Sequence, residues 1–217
     1  ITPTFFPIYS AEHQTITLRQ GWNMVSSYII PNENEIEYVT SQIADKITTF
    51  QDIDSNTYCP SCSTNSISEW NYLKAYKVYL SGADTLSIFG NISVPQDISI
   101  PLDSGWNWIP YLRTSSMATT TAIADILSNV NLIKSVDGKV YYPDWGFGNL
   151  TTLVPGSGYL ILMKQFDELV YPANSSSKSN LFEAFQLSMP SYLIPDENTT
   201  GNSMNLLLET NNIPDDW

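Results

Sequence analysis

The chain has 217 residues, enough to bury one large core or two smaller ones without staples. Only 14% of them are charged, and the net charge is -13 with nine Lys and Arg. That balance excludes the basic face a nucleic acid requires and disfavours anionic membrane surfaces, and no stretch reaches the roughly 18 apolar residues of a membrane span.

In chain order, residues 1–14 read as an extended arm carrying Pro3, Phe5, Phe6 and Pro7, too apolar to float freely. Gly21-Trp22-Asn23 opens a strand, with the Gly easing a tight backbone, the Trp expected to anchor a small core, and the Asn serving a neighbouring turn. Ile36, Val39, Ile43 and Ile47 fall at helix spacing behind Asn32 or Asn34 as cap. A hairpin arm follows, 47–52 with 57–60, and then strands at 75–80 and 84–86. Residues 90–101 join this to Gly105-Trp106-Asn107, where the series restarts. Trp106 and Trp108 are again expected in a core. A second helix carries Ile123, Ile126, Leu127 and Val130 behind Ser116 or Thr119, and a hairpin pairs 132–137 with 140–143. Strands at 158–163 and 167–169 end the series. Ala173 to Asn180 reads as a flexible linker, and the segment to Trp217 has too few apolar residues for a core of its own.

Few residues point to chemistry. Asp52, Asp54 and Asn56 place oxygens at alternate positions, as a calcium loop does, but Thr57 and Ser63 stand where an EF-hand needs Gly and Glu. They are the only metal candidate, set against solvated carboxylates on a turn, and no other cofactor is implied. Cys59 and Cys62 lack a second ligand pair for zinc and a helix start for redox work, which leaves a loop disulfide in an oxidising compartment. Gly156-Ser157-Gly158 lacks the spacing of a nucleophile elbow, and His13 is the sole histidine that could serve as a base. No catalytic residue is assigned. Trp70, Tyr142, Trp145 and Phe147 fall in or near loops and are candidate contacts for a protein partner or a sugar. Sequons at Asn91, Asn149, Asn174 and Asn198 allow glycosylation but are no more frequent than the composition gives by chance.

The two series align at an offset of about 84 residues, pairing 47–52 with 132–137 and 75–80 with 158–163. The expected fold is therefore α+β and β-rich: two tandem related modules, 15–94 and 95–172, each strand, helix and antiparallel strands. Residues 173–217 are expected to dock on a neighbour or begin a further domain. The start at Ile1 without an initiator Met suits a mature product or a piece of a longer protein.

Gly-Trp-Asn, then Asp-Gly-x-Val-Tyr-Tyr-Pro at 137–143 and Pro-Gly-x-Gly-Tyr at 155–159, resembles repeat modules of large exported surface proteins of Bacteroidetes-type bacteria. The resemblance spans about 15–172 and is weaker in the first copy, where Cys59 to Ser63 and Trp70-Asn71-Tyr72 depart from it. It implies export and tandem architecture and carries no catalytic residue. Duplication, apolar ends and a hydroxyl-rich, weakly charged composition lead to an expected non-catalytic extracellular structural or adhesive protein, a subunit or fragment of a cell-surface fibre or assembly. Its expected partners are copies of itself or adjacent modules of the same protein, with no nucleic acid and no membrane insertion. The alternative is a carbohydrate-binding module of a larger secreted protein, with glycans as partner.

Overall fold

The computed structural model describes residues 12–174. Most of the N-terminal arm, nearly all of 173–217, and the sequon at Asn198 lie outside them. The first half runs β1 (Glu12–Leu18), β2 (Gly21–Val25), β3 (Ile29–Pro31), the one-turn helix α1 (Ile36–Val39), β4 (Ile47–Gln51), β5 (Thr57–Cys59), β6 (Thr64–Asn65), β7 (Tyr76–Leu80) and β8 (Asp84–Ile92). The second runs β9 (Ile100–Leu102), β10 (Gly105–Ile109), β11 (Met117–Ala118), α2 (Thr119–Ala122), β12 (Val130–Lys134), β13 (Val140–Tyr142), β14 (Phe147–Gly148), β15 (Thr152–Leu153), β16 (Tyr159–Met163) and β17 (Asp167–Leu169). No helix among the described residues is long and apolar enough to cross a membrane.

The fold is β-rich and antiparallel throughout. Its two five-stranded sheets have orders β2-β7-β4-β5-β6 and β10-β16-β12-β13-β14, beside smaller sheets β1-β8-β3, β9-β17 and β11-β15. Trp22 faces Tyr79 across the first large sheet, and Trp106 faces Leu162 across the second. A bulge interrupts β4 between Ile47 and Thr49, and β12 between Val130 and Leu132. Strand by strand, then, Ile47 corresponds to Val130 and Phe50 to Ile133. The alignment of 47–52 with 132–137 is two residues out. A two-residue slip keeps every side chain on the same face, so apolar alternation is blind to it.

The Asn of each Gly-Trp-Asn does turn chemistry. Asn23 Oδ1 accepts from Arg19 N at 3.0 Å, and its Nδ2 donates to Arg19 O at 2.8 Å and Gly21 O at 3.0 Å. Asn107 makes the same three bonds with Asp103 N, Asp103 O and Gly105 O. Gly21 and Gly105 sit at φ 88° and 96°, a region a side chain would strain.

Each helix is a single α turn followed by a 3₁₀ segment, Ser41–Ile43 in the first half and Ala124–Asn129 in the second, not the continuous α-helix the spacing suggests. Ile47 and Val130 fit the helical period but are the first residues of strands. The side-chain caps expected from Asn32, Asn34, Ser116 or Thr119 are also absent, because strand-like backbone contacts take their place. Ile36 N donates to Ser68 O at 2.9 Å and Thr119 N to Thr151 O at 3.0 Å, satisfying the first orphan N–H of each turn.

Two buried apolar clusters form, one drawn from Ile16 to Ile88 and the other from Ile100 to Tyr171. Neither contains Trp22, Trp106 or Trp108. All three lie on outer sheet faces, Trp22 38% and Trp106 46% exposed, with Lys77 Nζ 4.3 Å above the Trp22 ring and Lys134 Nζ 4.6 Å above the Trp106 ring. Alternation explains this placement: the inward Asn23 and Asn107 leave the adjacent Trp facing out.

Gly156-Ser157-Gly158 joins the halves. Ser157 bridges Val25, Ser26 N donates to Gly156 O at 3.2 Å, and Gly158 N donates to Met24 O at 3.0 Å. The buried Ser26 hydroxyl donates to Ser157 O at 2.7 Å and accepts from Tyr111 N at 2.9 Å. A Cβ on Gly158 would lie 2.6 Å from Ala75 Cβ, so the close approach explains the glycine.

Candidate interaction surface

Alternation along each strand separates an inner from an outer face. On the second large sheet the outer positions form rows fixed by the strand registers: Trp106, Leu162 and Leu132; then Trp108, Leu160, Lys134 and Val140; then Tyr142 and Phe147. Lys134 is the one charged residue among them. Four strand spacings of about 4.8 Å make this face roughly 19 Å wide. The same rows on the first sheet read Trp22, Tyr79 and Thr49; then Met24, Lys77, Gln51 and Thr57; then Cys59 and Thr64. One strand order thus carries a mostly polar outer face in one half and an apolar one in the other. The fold does not demand apolar residues there.

The far edge carries most of the predicted aromatics. Pro143–Trp145 forms a 3₁₀ turn that leaves through Gly146 at φ 57°. Trp145 is 73% exposed and stacks on Tyr142, centroids 5.0 Å apart, while Phe147 is 70% exposed. Lys164 Nζ holds Asp144 at 2.7 Å beside them. The first sheet has the same turn at Pro60–Cys62, leaving through Ser63 at φ 52°, with no aromatic side chain. There the Cys59 and Cys62 sulfurs lie 2.12 Å apart, at disulfide distance.

Trp70 is not part of any surface. It is 2% exposed and packs on Tyr76 and Phe50, with centroids 4.8 and 6.0 Å away, because its backbone N–H donates to Asn34 O and pulls the loop over the first core. Its indole Nε1 has no hydrogen-bond partner among the described residues.

Asp52, Asp54 and Asn56 do come together, around an ammonium of the chain itself. Lys74 Nζ lies 3.2 Å from Asp52 Oδ2 and 2.8 Å from Asp54 Oδ2. Asn56 gives donors to this group, its N and Nδ2 reaching the buried Asp52 at 2.9 and 3.0 Å. Burial works to raise the Asp52 carboxyl, but the hydrogen bonds from Asn56 and Lys74 outweigh it and hold the group below its ordinary value. Among the described residues no three His, Cys, Asp or Glu side chains gather as a metal site.

His13 stacks on Phe89 with centroids 5.5 Å apart. Asn91 and Asn149 are exposed, whereas Asn174 is half-buried with its Oδ1 accepting from Thr114 N at 2.9 Å. Sequence reasoning picked out Tyr142, Trp145 and Phe147 singly and missed Trp106, Trp108, Leu132, Leu160 and Leu162 as parts of one face. The signal was present: Tyr159 to Met163 is apolar at every position, the mark of a strand covered on both sides. Comparison of the chain with protein-family models, with curated proteins and with solved structures finds no match.

Proposed function

We propose that this chain is a non-catalytic structural or adhesive protein of the extracellular surface, built from two copies of one module at 15–94 and 95–172, and that it associates with a second copy of itself through the outer face of the second large sheet. The observation that carries this reading is the contrast between the two outer faces, since an apolar face the fold does not require is best explained by a partner that covers it. Shared strand order, paired bulges and identical Asn23 and Asn107 bonding support the duplication. Cysteines at disulfide distance and low charge support export. The residue pattern that resembles exported Bacteroidetes-type repeat modules is consistent with both.

The charge distribution favours this face for contact between copies. Each copy carries a net -13, yet here the only charged outer residue is Lys134, and the rim carboxylate Asp144 is paired with Lys164. Repulsion at this face is therefore small, and it is further screened by salt. Sedimentation of the full chain tests the reading. Dimers should increase with concentration and with salt, and Leu160→Lys with Leu162→Lys should abolish them at unchanged stability. A wild-type chain that stays monomeric at roughly millimolar concentration, where even a small interface associates, would overturn it. The stacked and exposed Tyr142 and Trp145 favour a second reading, carbohydrate binding. Aliphatic Leu132, Leu160 and Leu162 at the centre weigh against it, because sugars need polar groups beside the rings, and a glycan array separates the two.

A further inference from the structure

An open cleft of about 650 Å³ lies between the two halves, well within the size of small-ligand sites. One wall is β1 and the turn after it, contributing Thr15, Thr17 and Arg19; the other contributes Ser135, Thr152 and Ser157. Thr15 and Thr17 are exposed, while their neighbours Ile16 and Leu18 are buried in the first core. The walls therefore carry several hydroxyls, with Val154, 39% exposed, and the half-buried Val136 and Pro155 as apolar surface beside them. Asp137 and Lys139, paired at 3.1 Å, stand on the second wall.

Arg19 is the unusual member. Eight of the nine Lys and Arg lie among the described residues, Lys178 being the exception. Lys46, Lys74, Lys139 and Lys164 pair with carboxylates, Lys77 and Lys134 cover tryptophan rings, and Arg113 donates to the Pro172 and Ala173 carbonyls. Arg19 does none of these. Among the described residues its one side-chain hydrogen bond runs from Nε to Trp22 O at 3.3 Å, and no carboxylate there pairs with its terminal nitrogens. Nor does the turn need the side chain, because Asp103 occupies the same place before Asn107 and makes the same backbone bonds.

We infer that this cleft binds an acidic saccharide, with a uronate carboxylate on the Arg19 guanidinium. The sugar hydroxyls face Thr15, Thr17 and Thr152, and the Asp137 carboxylate, already bound by the Ser135 hydroxyl and the Lys139 ammonium, accepts from them with its remaining lone pairs. Guanidinium and carboxylate on opposite walls of a hydroxyl-lined cleft match a ligand bearing both an anion and vicinal hydroxyls. A peptide carboxylate would satisfy Arg19 alone and leave the hydroxyl walls unused.

Calorimetric titration of the full chain with trigalacturonate tests this, with galactotriose and triglutamate as controls. The expected result is saturable binding of trigalacturonate, weakened at least tenfold by Arg19→Gln at an unchanged melting temperature. Phe147→Ala, on the association face, should leave that binding intact, so this site and the face stand or fall separately. No saturable heat, equal binding of galactotriose, or full affinity in Arg19→Gln would overturn the site. Triglutamate binding as tightly as trigalacturonate would overturn the saccharide as its ligand.

Discussion

Replacing Gly158 by Ala tests the junction of the halves at one atom. The added Cβ would sit 2.6 Å from Ala75 Cβ and 3.1 Å from Met24 Cγ, against the 3.5–4 Å of ordinary carbon contact. Met24 can swing away, but Ala75 Cβ is fixed to its backbone, so relief requires the two halves to part. Overpacking of this kind costs about 1–3 kcal/mol, and losing the Gly158 N to Met24 O bond adds about 1 kcal/mol. Gly158 is not held at positive φ, so the reduced freedom of the unfolded chain returns up to about 1 kcal/mol. The net expectation is a loss of about 1–3 kcal/mol, or roughly 3–9 °C in melting temperature for a domain of this size. Urea unfolding of Gly158→Ala, Ala75→Gly and the double variant measures the coupling. Ala75→Gly on its own should destabilise by under about 1 kcal/mol and should rescue Gly158→Ala by at least that much. If Gly158→Ala unfolds within about 0.5 kcal/mol of wild type, or the double variant is merely additive, the junction is not packed as described.

Lys74→Met leaves the buried Asp52 without its ammonium and should cost about 1–2 kcal/mol by thermal unfolding, less than a fully buried pair because Lys74 is partly exposed. Since the Asp52 carboxyl lies below its ordinary value in the fold, its contribution is complete above about pH 3.9 and is lost as pH falls through the folded value. Asp52→Asn should therefore flatten the acid limb of a stability profile, and an unchanged limb would contradict the assignment. Trp70→Phe removes an indole N–H that has no partner among the described residues, so it should cost under about 1 kcal/mol, whereas Trp70→Ala should cost about 3 kcal/mol or more. Asn23→Ala and Asn107→Ala each delete three bonds to a turn and should each lose about 1–3 kcal/mol; a loss at only one would break the equivalence of the two turns.

Elements encoded by local chemistry were legible in the sequence. The Asp137-Gly138 turn needs a left-handed residue, and Gly138 supplies it at φ 86°; Ser55 holds the same place at φ 68°, which a motif search passes over. The helices were overread because Ile43 with Ile47, and Ile126 with Val130, continue a 3.6-residue spacing across a boundary where the chain has become strand. What stops the helices is tertiary: β4 and β12 are central strands whose bonds to β7 and β16 outweigh local spacing. The outer face was hidden for another reason. Trp106, Leu162 and Leu132 come from three separate segments, and only the strand register makes them neighbours.

On the reading of two copies, the junction also bears on how an assembly grows. Val25 and Ser26 in the first half correspond to Ile109 and Pro110 in the second. Ser26 offers an N–H to Gly156 O, whereas Pro110 has none to offer. The Pro110 carbonyl is taken as well, accepting from the buried Tyr171 hydroxyl at 2.7 Å. Arg113 then fastens the chain beyond Tyr171 through the Pro172 and Ala173 carbonyls. The strand-end contact that joins the two halves therefore has no second instance to offer a third module among the described residues. End-to-end repetition of that contact would require at least Pro110 to change, so the proposed association is directed to the sheet face bearing Trp106, Leu162 and Phe147, which the junction does not cover.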